Sequence, residues 1–172
     1  MNQKSQSYKN WENTKMSKRI LFLDVDGVLT DNKFIIDVNG NRLVSFNFYD
    51  ITGIYRLDRK LYEVVLISGE YTNQVNFFCK KANIKLYFPE IKNKLLKAKE
   101  KANEYEIDLI NCIFIGNDIN DLEVLKNVGL SFCPIDAHYL CKEICSKVIP
   151  VKGGEGVARY AIDTIQSQNL LN

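Results

Sequence analysis

Residues Ile20–Asp31 read Ile-Leu-Phe-Leu-Asp-Val-Asp-Gly-Val-Leu-Thr-Asp, and this stretch decides the fold. Ile20–Leu23 is apolar at every position, which suits a short strand buried on both faces of a parallel sheet. It ends abruptly in Asp24 and Asp26, two carboxylates flanking Val25. In an open α/β sheet, ligands bind just beyond the carboxyl ends of the strands. Two acids at such a place pack poorly but suit a divalent cation. Asp24 there fits a nucleophile and Asp26 a general acid/base. Gly27 lets the backbone leave the strand tightly. The competing reading is a pair of surface turn acids. It loses weight because a second acidic cluster and a lysine follow farther along.

Outward from this stretch, strands alternate with helices. Lys33–Phe48 alternates in polarity around Asn39-Gly40, a β-hairpin signal. Asp50–Lys60 predicts a helix with Ile51, Ile54, Tyr55 and Leu57 inward. Strands are expected at Glu63–Ile67, Lys85–Phe88, Ile113–Ile115, Leu130–Cys133 and Lys147–Ile149. Helices are expected at Asn73–Ala82, Lys92–Tyr105 (with Leu95, Leu96 and Ala98 inward), Asn120–Val128, Ala137–Cys145 and Gly156–Gln166. That order predicts an α/β fold with a doubly wound parallel sheet. Residues 1–18 are polar without apolar period and are expected to be a mobile tail. Residues 19–172 are expected to form a single domain.

Composition sets bounds. A chain of 172 residues, 46% hydrophobic and 26% charged, supports one domain with a good core. A net charge of +2 generates no field that calls for nucleic acid. No apolar run approaches the roughly 20 residues of a membrane span. The N-terminus lacks the apolar core of a signal peptide, so a cytoplasmic location is expected. The five cysteines, at 79, 112, 133, 141 and 145, lack paired zinc spacing and read as buried free thiols.

Four strand ends carry chemistry. The first holds Asp24 and Asp26. The second is Ser68-Gly69-Glu70, where a hydroxyl and free backbone N–H groups suit a phosphate. The third is Lys94 at a helix start, unfavourable against the dipole unless an anion answers it; Lys92 competes for that role. The fourth is Gly116-Asn117-Asp118-Ile119-Asn120-Asp121, oxygen-rich ligands for Mg²⁺, part of which must cap the next helix.

Together these four pieces resemble, in order and context, the motifs of the haloacid dehalogenase-like phosphohydrolases. The likeness runs from Arg19 to about Ile165. Asp24–Asp31, Phe46–Asp50 with Gly53-Ile54, and Lys152-Gly153-Gly154-Glu155-Gly156 resemble more closely the phosphatases of 3-deoxy-octulosonate 8-phosphate and of nonulosonate 9-phosphates, and the C-terminal domain of some acylneuraminate cytidylyltransferases. The resemblance implies a Rossmann-like core and a Mg²⁺-dependent sugar-phosphate phosphatase. Asp24 would form an aspartyl-phosphate and Asp26 would protonate the leaving sugar oxygen, then activate water. Ser68, Gly69 and Lys94 would hold the phosphoryl group. The metal would sit among Asp24, the Asp26 carbonyl and the fourth motif. Two departures stand out. Asn117 occupies the place where the octulosonate enzymes carry an Asp, so the ligand is either Asn117 or Asp118, with Asp121 also within the cluster. Glu70 replaces their Arg and resembles the nonulosonate branch, where it would bind sugar hydroxyls; as a bare helix-start acid it would need no ligand.

The chain has no room for a separate cap domain, since a hairpin, helices and strands consume the spacing. Its hairpin carries apolar residues that invite association. The resembled family assembles tetramers through such hairpins, which implies a homotetramer whose neighbour closes the site, with the Gly153–Gly156 loop and Arg159 contributing to substrate binding. A small-molecule sugar phosphate is the expected partner, with neither nucleic acid nor membrane. The alternative reading is a non-catalytic oligomerisation module like the cytidylyltransferase domain.

Overall fold

Strand β1 (Arg19–Leu23) is buried along its length and lies between two parallel neighbours. The computed structural model describes residues 18–169, so the expected tail falls, but for Lys18, outside the described residues. Six parallel strands run in the order β5-β4-β1-β6-β7-β8, with β4 at Tyr62–Ile67, β5 at Leu86–Phe88, β6 at Cys112–Ile115, β7 at Leu130–Pro134 and β8 at Lys147–Ile149. The order reverses direction at β1, which creates a crevice at the strands' carboxyl ends.

Alternation along each strand splits the core into two layers. Leu21, Leu23, Val64, Leu66, Ile113 and Ile115 face helices α1 (Phe48–Arg56), α2 (Asn73–Ala82) and α6 (Val157–Asn169). Ile20, Phe22, Val65, Ile67 and Phe114 face α3 (Lys94–Glu104), α4 (Leu122–Asn127) and α5 (Tyr139–Ile144). Every one of these strand residues is fully buried, and such a side chain contributes ~1.5–3 kcal/mol. The doubly wound parallel architecture is therefore the one expected. Between β1 and β4 lie only a hairpin and α1, so no cap domain is inserted there. Among the described residues no helix is long and apolar enough to cross a membrane.

Local chemistry moved several boundaries. Helix α1 begins at Phe48 because Asn47 caps it, accepting from Tyr49 N. It stops at Arg56, not Lys60, because Asp58 folds the chain back: its carboxylate accepts from Lys60 N and its carbonyl from Leu61 N and Tyr62 N. Asn93 accepts from Leu96 N and starts α3 at Lys94 rather than Lys92. The expected inward positions of Tyr55 and Leu96 are corrected: they are 61% and 64% exposed, lying on the outer faces of α1 and α3. The helix expected over Asn120–Val128 is a 3₁₀ turn, Ile119–Asp121, followed by α4.

The hairpin is present but small. Strands β2 (Ile35–Ile36) and β3 (Arg42–Leu43) pair in antiparallel register, Ile35 with Leu43 and Ile36 with Arg42. Asp37 organises the turn, its Oδ1 accepting from Asn39 N and Asn41 N at 2.8 Å each, while Gly40 turns at φ +81°. Phe34, Ile35, Ile36, Val38 and Leu43 are exposed.

Candidate active site

The register brings the strand ends together. Leu23 pairs with Leu66 on one side and Ile115 on the other, and Asp24 N donates to Ile115 O at 3.0 Å. Asp24 therefore leaves the sheet between the ends of β4 and β6.

Beneath it lies Lys94, 1% exposed at the first turn of α3. Its Nζ sits 2.7 Å from Asp24 Oδ1 and 2.7 Å from Asp121 Oδ1. Two buried carboxylates answer the cation that the helix dipole disfavours. Burial alone would pull the Lys94 ammonium down, but Asp24 and Asp121 outweigh it and hold it above its ordinary range. Burial first, then the Asp121 charge, push Asp24 up to about 7 against the opposing pull of Lys94. Of the two competing lysines, Lys94 occupies the site and Lys92 is exposed.

Asp121 is the hub of the fourth loop. Its Oδ2 accepts from Asn117 N (2.8 Å) and Asp118 N (3.2 Å). A Cβ at Gly116 would run into the Asp121 carboxylate and the Phe114 ring, so the loop's first residue must be glycine. From outside, His138 N donates to Asn117 O (2.8 Å) and Cys141 Sγ to Asp118 O (3.2 Å). Asp118 is exposed and its carboxylate accepts from Ile119 N at 2.7 Å, which makes it a cap for the 3₁₀ turn.

Asn117 is buried and its amide points at the two acids. One terminal atom of that amide lies 2.9 Å from the Asp26 main-chain oxygen and 3.1 Å from Asp24 Oδ2. With the NH₂ group there, the amide donates to both. With Oδ1 there, the amide oxygen stands from each of the other two oxygens at a spacing near the ~3 Å edge of an octahedron with Mg–O bonds of about 2.1 Å. A carboxylate, a carbonyl and an amide oxygen are hard donors, and this set fits Mg²⁺. No group of three His, Cys, Asp or Glu side chains offers a metal site among the described residues. Gly27, at φ +83°, makes room: a Cβ there would overlap the Asn117 amide.

Above this floor opens a cleft of ≈ 160 Å³ lined by Asp24, Asp26, Asn117 and Asp118 together with Gly69 and Glu70. Ser68 is buried beside it, its Oγ accepting from Glu70 N at 3.1 Å. Asn32 and Asn120 also line the cleft; Asn120 comes from the fourth motif, whereas Asn32 belongs to none. Asn32 sits at φ +61°, a conformation Asn tolerates; its place after Asp31 was the only available signal. Asp26 is half-buried, its Oδ1 held by Arg42 Nη2 at 2.7 Å, a partner from the hairpin that no motif announces. Arg159 does not line the cleft. Its Nε pairs with Asp163 at 2.7 Å and its backbone N donates to Asp50 at 2.8 Å. The Gly153-Gly154 loop braces the first motif, Gly154 N donating to Val28 O at 3.0 Å.

Comparison with known proteins identifies the family. The family described as haloacid dehalogenase-like hydrolase matches residues 67–160. The 3-deoxy-D-manno-octulosonate 8-phosphate phosphatase KdsC of Escherichia coli K12 is 33% identical over 147 residues, spanning 86% of this chain and 78% of the relative. The solved 3-deoxy-D-manno-octulosonate 8-phosphate phosphatase of Yersinia pestis superposes with a TM-score of 0.86 at 27% identity, over 94% of this chain and 86% of that one. The cobalt-bound deoxy-D-mannose-octulosonate 8-phosphate phosphatase of Haemophilus influenzae superposes with a TM-score of 0.82 at 29% identity, over 92% and 90%.

Proposed function

The chain belongs to the haloacid dehalogenase-like hydrolases and is a phosphatase of the KdsC-like kind; from that premise we propose that it hydrolyses the phosphomonoester of an acidic keto-sugar through an aspartyl-phosphate on Asp24. Its relatives at 33% identity are phosphatases, which supports the catalytic reading over a purely non-catalytic module. The observation that carries the mechanism is Lys94, buried between Asp24 and Asp121 under an open cleft.

Asp24 attacks phosphorus. Its carboxyl O–P bond forms as the P–O bond to the sugar breaks, and Asp26 gives its proton to the departing oxygen. Asp26 then takes a proton from water, whose oxygen attacks phosphorus. The Asp24–phosphate bond breaks, returning the carboxylate and inorganic phosphate. Ser68 and the Gly69 backbone hold phosphoryl oxygens, and Lys94 counters the charge beneath them. Carboxylates outnumber cations around the cleft, so a phosphate dianion is repelled unless a divalent cation joins it. Asp24, the Asp26 carbonyl and Asn117 would hold Mg²⁺, which supplies that positive charge; Asp118 serves the loop as a cap.

The cleft is too small to enclose a sugar, well below the ~300 Å³ of ordinary ligand pockets. It suits the phosphoryl group alone, with the sugar outside against Glu70 and a neighbouring subunit. The exposed hairpin is the surface for that neighbour, in a homotetramer. The named relatives favour 3-deoxy-octulosonate 8-phosphate. Glu70 at the cleft rim favours a nonulosonate 9-phosphate as a second reading.

Phosphate release from a panel of sugar phosphates, with and without Mg²⁺, tests the proposal. One of the two keto-acid phosphates should give the highest kcat/KM, dependent on Mg²⁺. Asp24→Asn should lower turnover by about 10⁴-fold or more. Turnover retained by that variant defeats the mechanism.

A further inference from the structure

Arg42 belongs to none of the four motifs, yet it reaches the acid/base. Its Nη2 donates to Asp26 Oδ1 at 2.7 Å. The Thr30 hydroxyl, which accepts from Gly27 N at 3.3 Å, donates to the same Oδ1 at 3.4 Å. No hydrogen bond among the described residues reaches Asp26 Oδ2. Arg42 itself is held on two further sides. Its guanidinium lies 4.9 Å from the centre of the Phe34 ring, and its main-chain oxygen accepts from Gln74 Nε2 of α2 at 2.7 Å.

The pairing is one-sided. Arg42 Nε is buried without a partner, so the guanidinium grips Asp26 through a single donor. A two-bond fork would turn both carboxylate oxygens toward the arginine. The single bond takes Oδ1 and leaves Oδ2 to the cleft that Asp26 lines.

We infer that Arg42 is a positioning residue that fixes the Asp26 carboxyl so that Oδ2 is the oxygen presented to the leaving group. The inference rests on the phosphatase reading, with Asp26 as acid/base. Proton transfer demands a heavy-atom separation of about 2.6–3.2 Å, and a misplacement of ~1 Å can cost about 10²-fold. Without the guanidinium only the long Thr30 bond restrains Asp26. The acid is thereby tied to the hairpin, because the residue that orients it is anchored in β3.

The discriminating measurement compares phenyl phosphate with 4-nitrophenyl phosphate, at saturating Mg²⁺, for wild type, Arg42→Met and Arg42→Lys. The two esters are close in shape, but the phenolate leaves poorly without a proton and the nitrophenolate leaves well. Arg42→Met should lower kcat/KM on phenyl phosphate by about tenfold or more and on 4-nitrophenyl phosphate by less than about threefold. Arg42→Lys, which keeps a donor near Oδ1, should recover part of the difference and carries the test if the methionine variant does not fold. Equal losses on both esters, or no loss, overturn the role of Arg42 while leaving the phosphatase standing. A wild type idle on these esters and on the sugar phosphates overturns the phosphatase reading and this role with it.

Discussion

The floor of the cleft and the hairpin beside it are built in opposite ways. The floor is buried ionic structure: Lys94 is held between Asp24 and Asp121 beneath the sheet's carboxyl edge. The hairpin is a pair of two-residue strands whose apolar side chains face outward. A buried ion triad is costly to make and costlier to break, because each lost partner strands a charge in low dielectric. An exposed apolar hairpin contributes little to its own chain and gains by covering itself with another. The floor is thus where stability and chemistry are coupled, and on the proposed reading the hairpin is where chemistry is coupled to assembly.

The sharpest way to break the contrast is Lys94→Met. It leaves two buried carboxylates facing each other, and the expected cost is ~3–5 kcal/mol, read as a fall in denaturation midpoint. A loss within ~0.5 kcal/mol would mean that the triad is not structural.

The pH dependence of the floor sharpens the same point. The folded state raises Asp24 from 3.8 to about 7 through burial and Asp121. A carboxyl raised on folding contributes stability that is full below its unfolded value and lost as pH rises through its folded value. Without divalent cation, the stability of wild type relative to Asp24→Asn should therefore decline from pH 5 to pH 8. Asp50, also pushed up by burial, to about 6, remains in both proteins and cancels. A difference in melting temperature that stays flat across this range would contradict the placement of Asp24 in a low dielectric. Mg²⁺ should restore wild-type stability more at pH 8 than at pH 6.

A smaller effect is expected at the oxygen set around Asn117. Asn117→Asp adds a charge to the oxygen set and should lower the Mg²⁺ needed for half-maximal rate by about tenfold, equivalent to ~1.4 kcal/mol. Asp118→Asn should leave that concentration unchanged, since its carboxylate caps the 3₁₀ turn. The reverse pattern would make Asp118 the ligand. The smallest effect on stability belongs to the hairpin. Ile36→Glu with Val38→Glu should shift unfolding by no more than ~0.5 kcal/mol while converting a tetramer to smaller species by light scattering. These two residues are the cleaner choice because Phe34 stacks on Arg42. A wild type that scatters as a monomer defeats the assembly surface.

Much of the fold was legible because it depends on local patterns. Apolar runs such as Ile20–Leu23 and Val64–Ile67, each cut off by a polar residue, mark buried parallel strands whatever surrounds them. Helices α1 and α3 were expected from apolar spacing alone and start two residues away from those expectations, because the caps Asn47 and Asn93 show themselves only through their bonds to Tyr49 N and Leu96 N. Tyr55 and Leu96 misled because apolar residues also occupy solvent faces. Lys94 and Asp121 were both visible as charged residues, but their shared contact spans 27 positions and follows from how α3 packs against the fourth loop.

The chain's sequence by itself determined the strand ends at which chemistry gathers, because Asp24, Ser68 and Asn117 each follow an apolar run and the parallel sheet brings such ends to one edge. Only the tertiary structure decided which groups work together there. It chose Lys94 over Lys92, made Asp121 a structural anchor and Asp118 a cap, turned Arg159 to Asp163, and sent Arg42 from the hairpin to Asp26. The reason is physical. Strand and turn propensities act over a few neighbouring residues, whereas the pairing of buried charges is set by the packing that removes them from water.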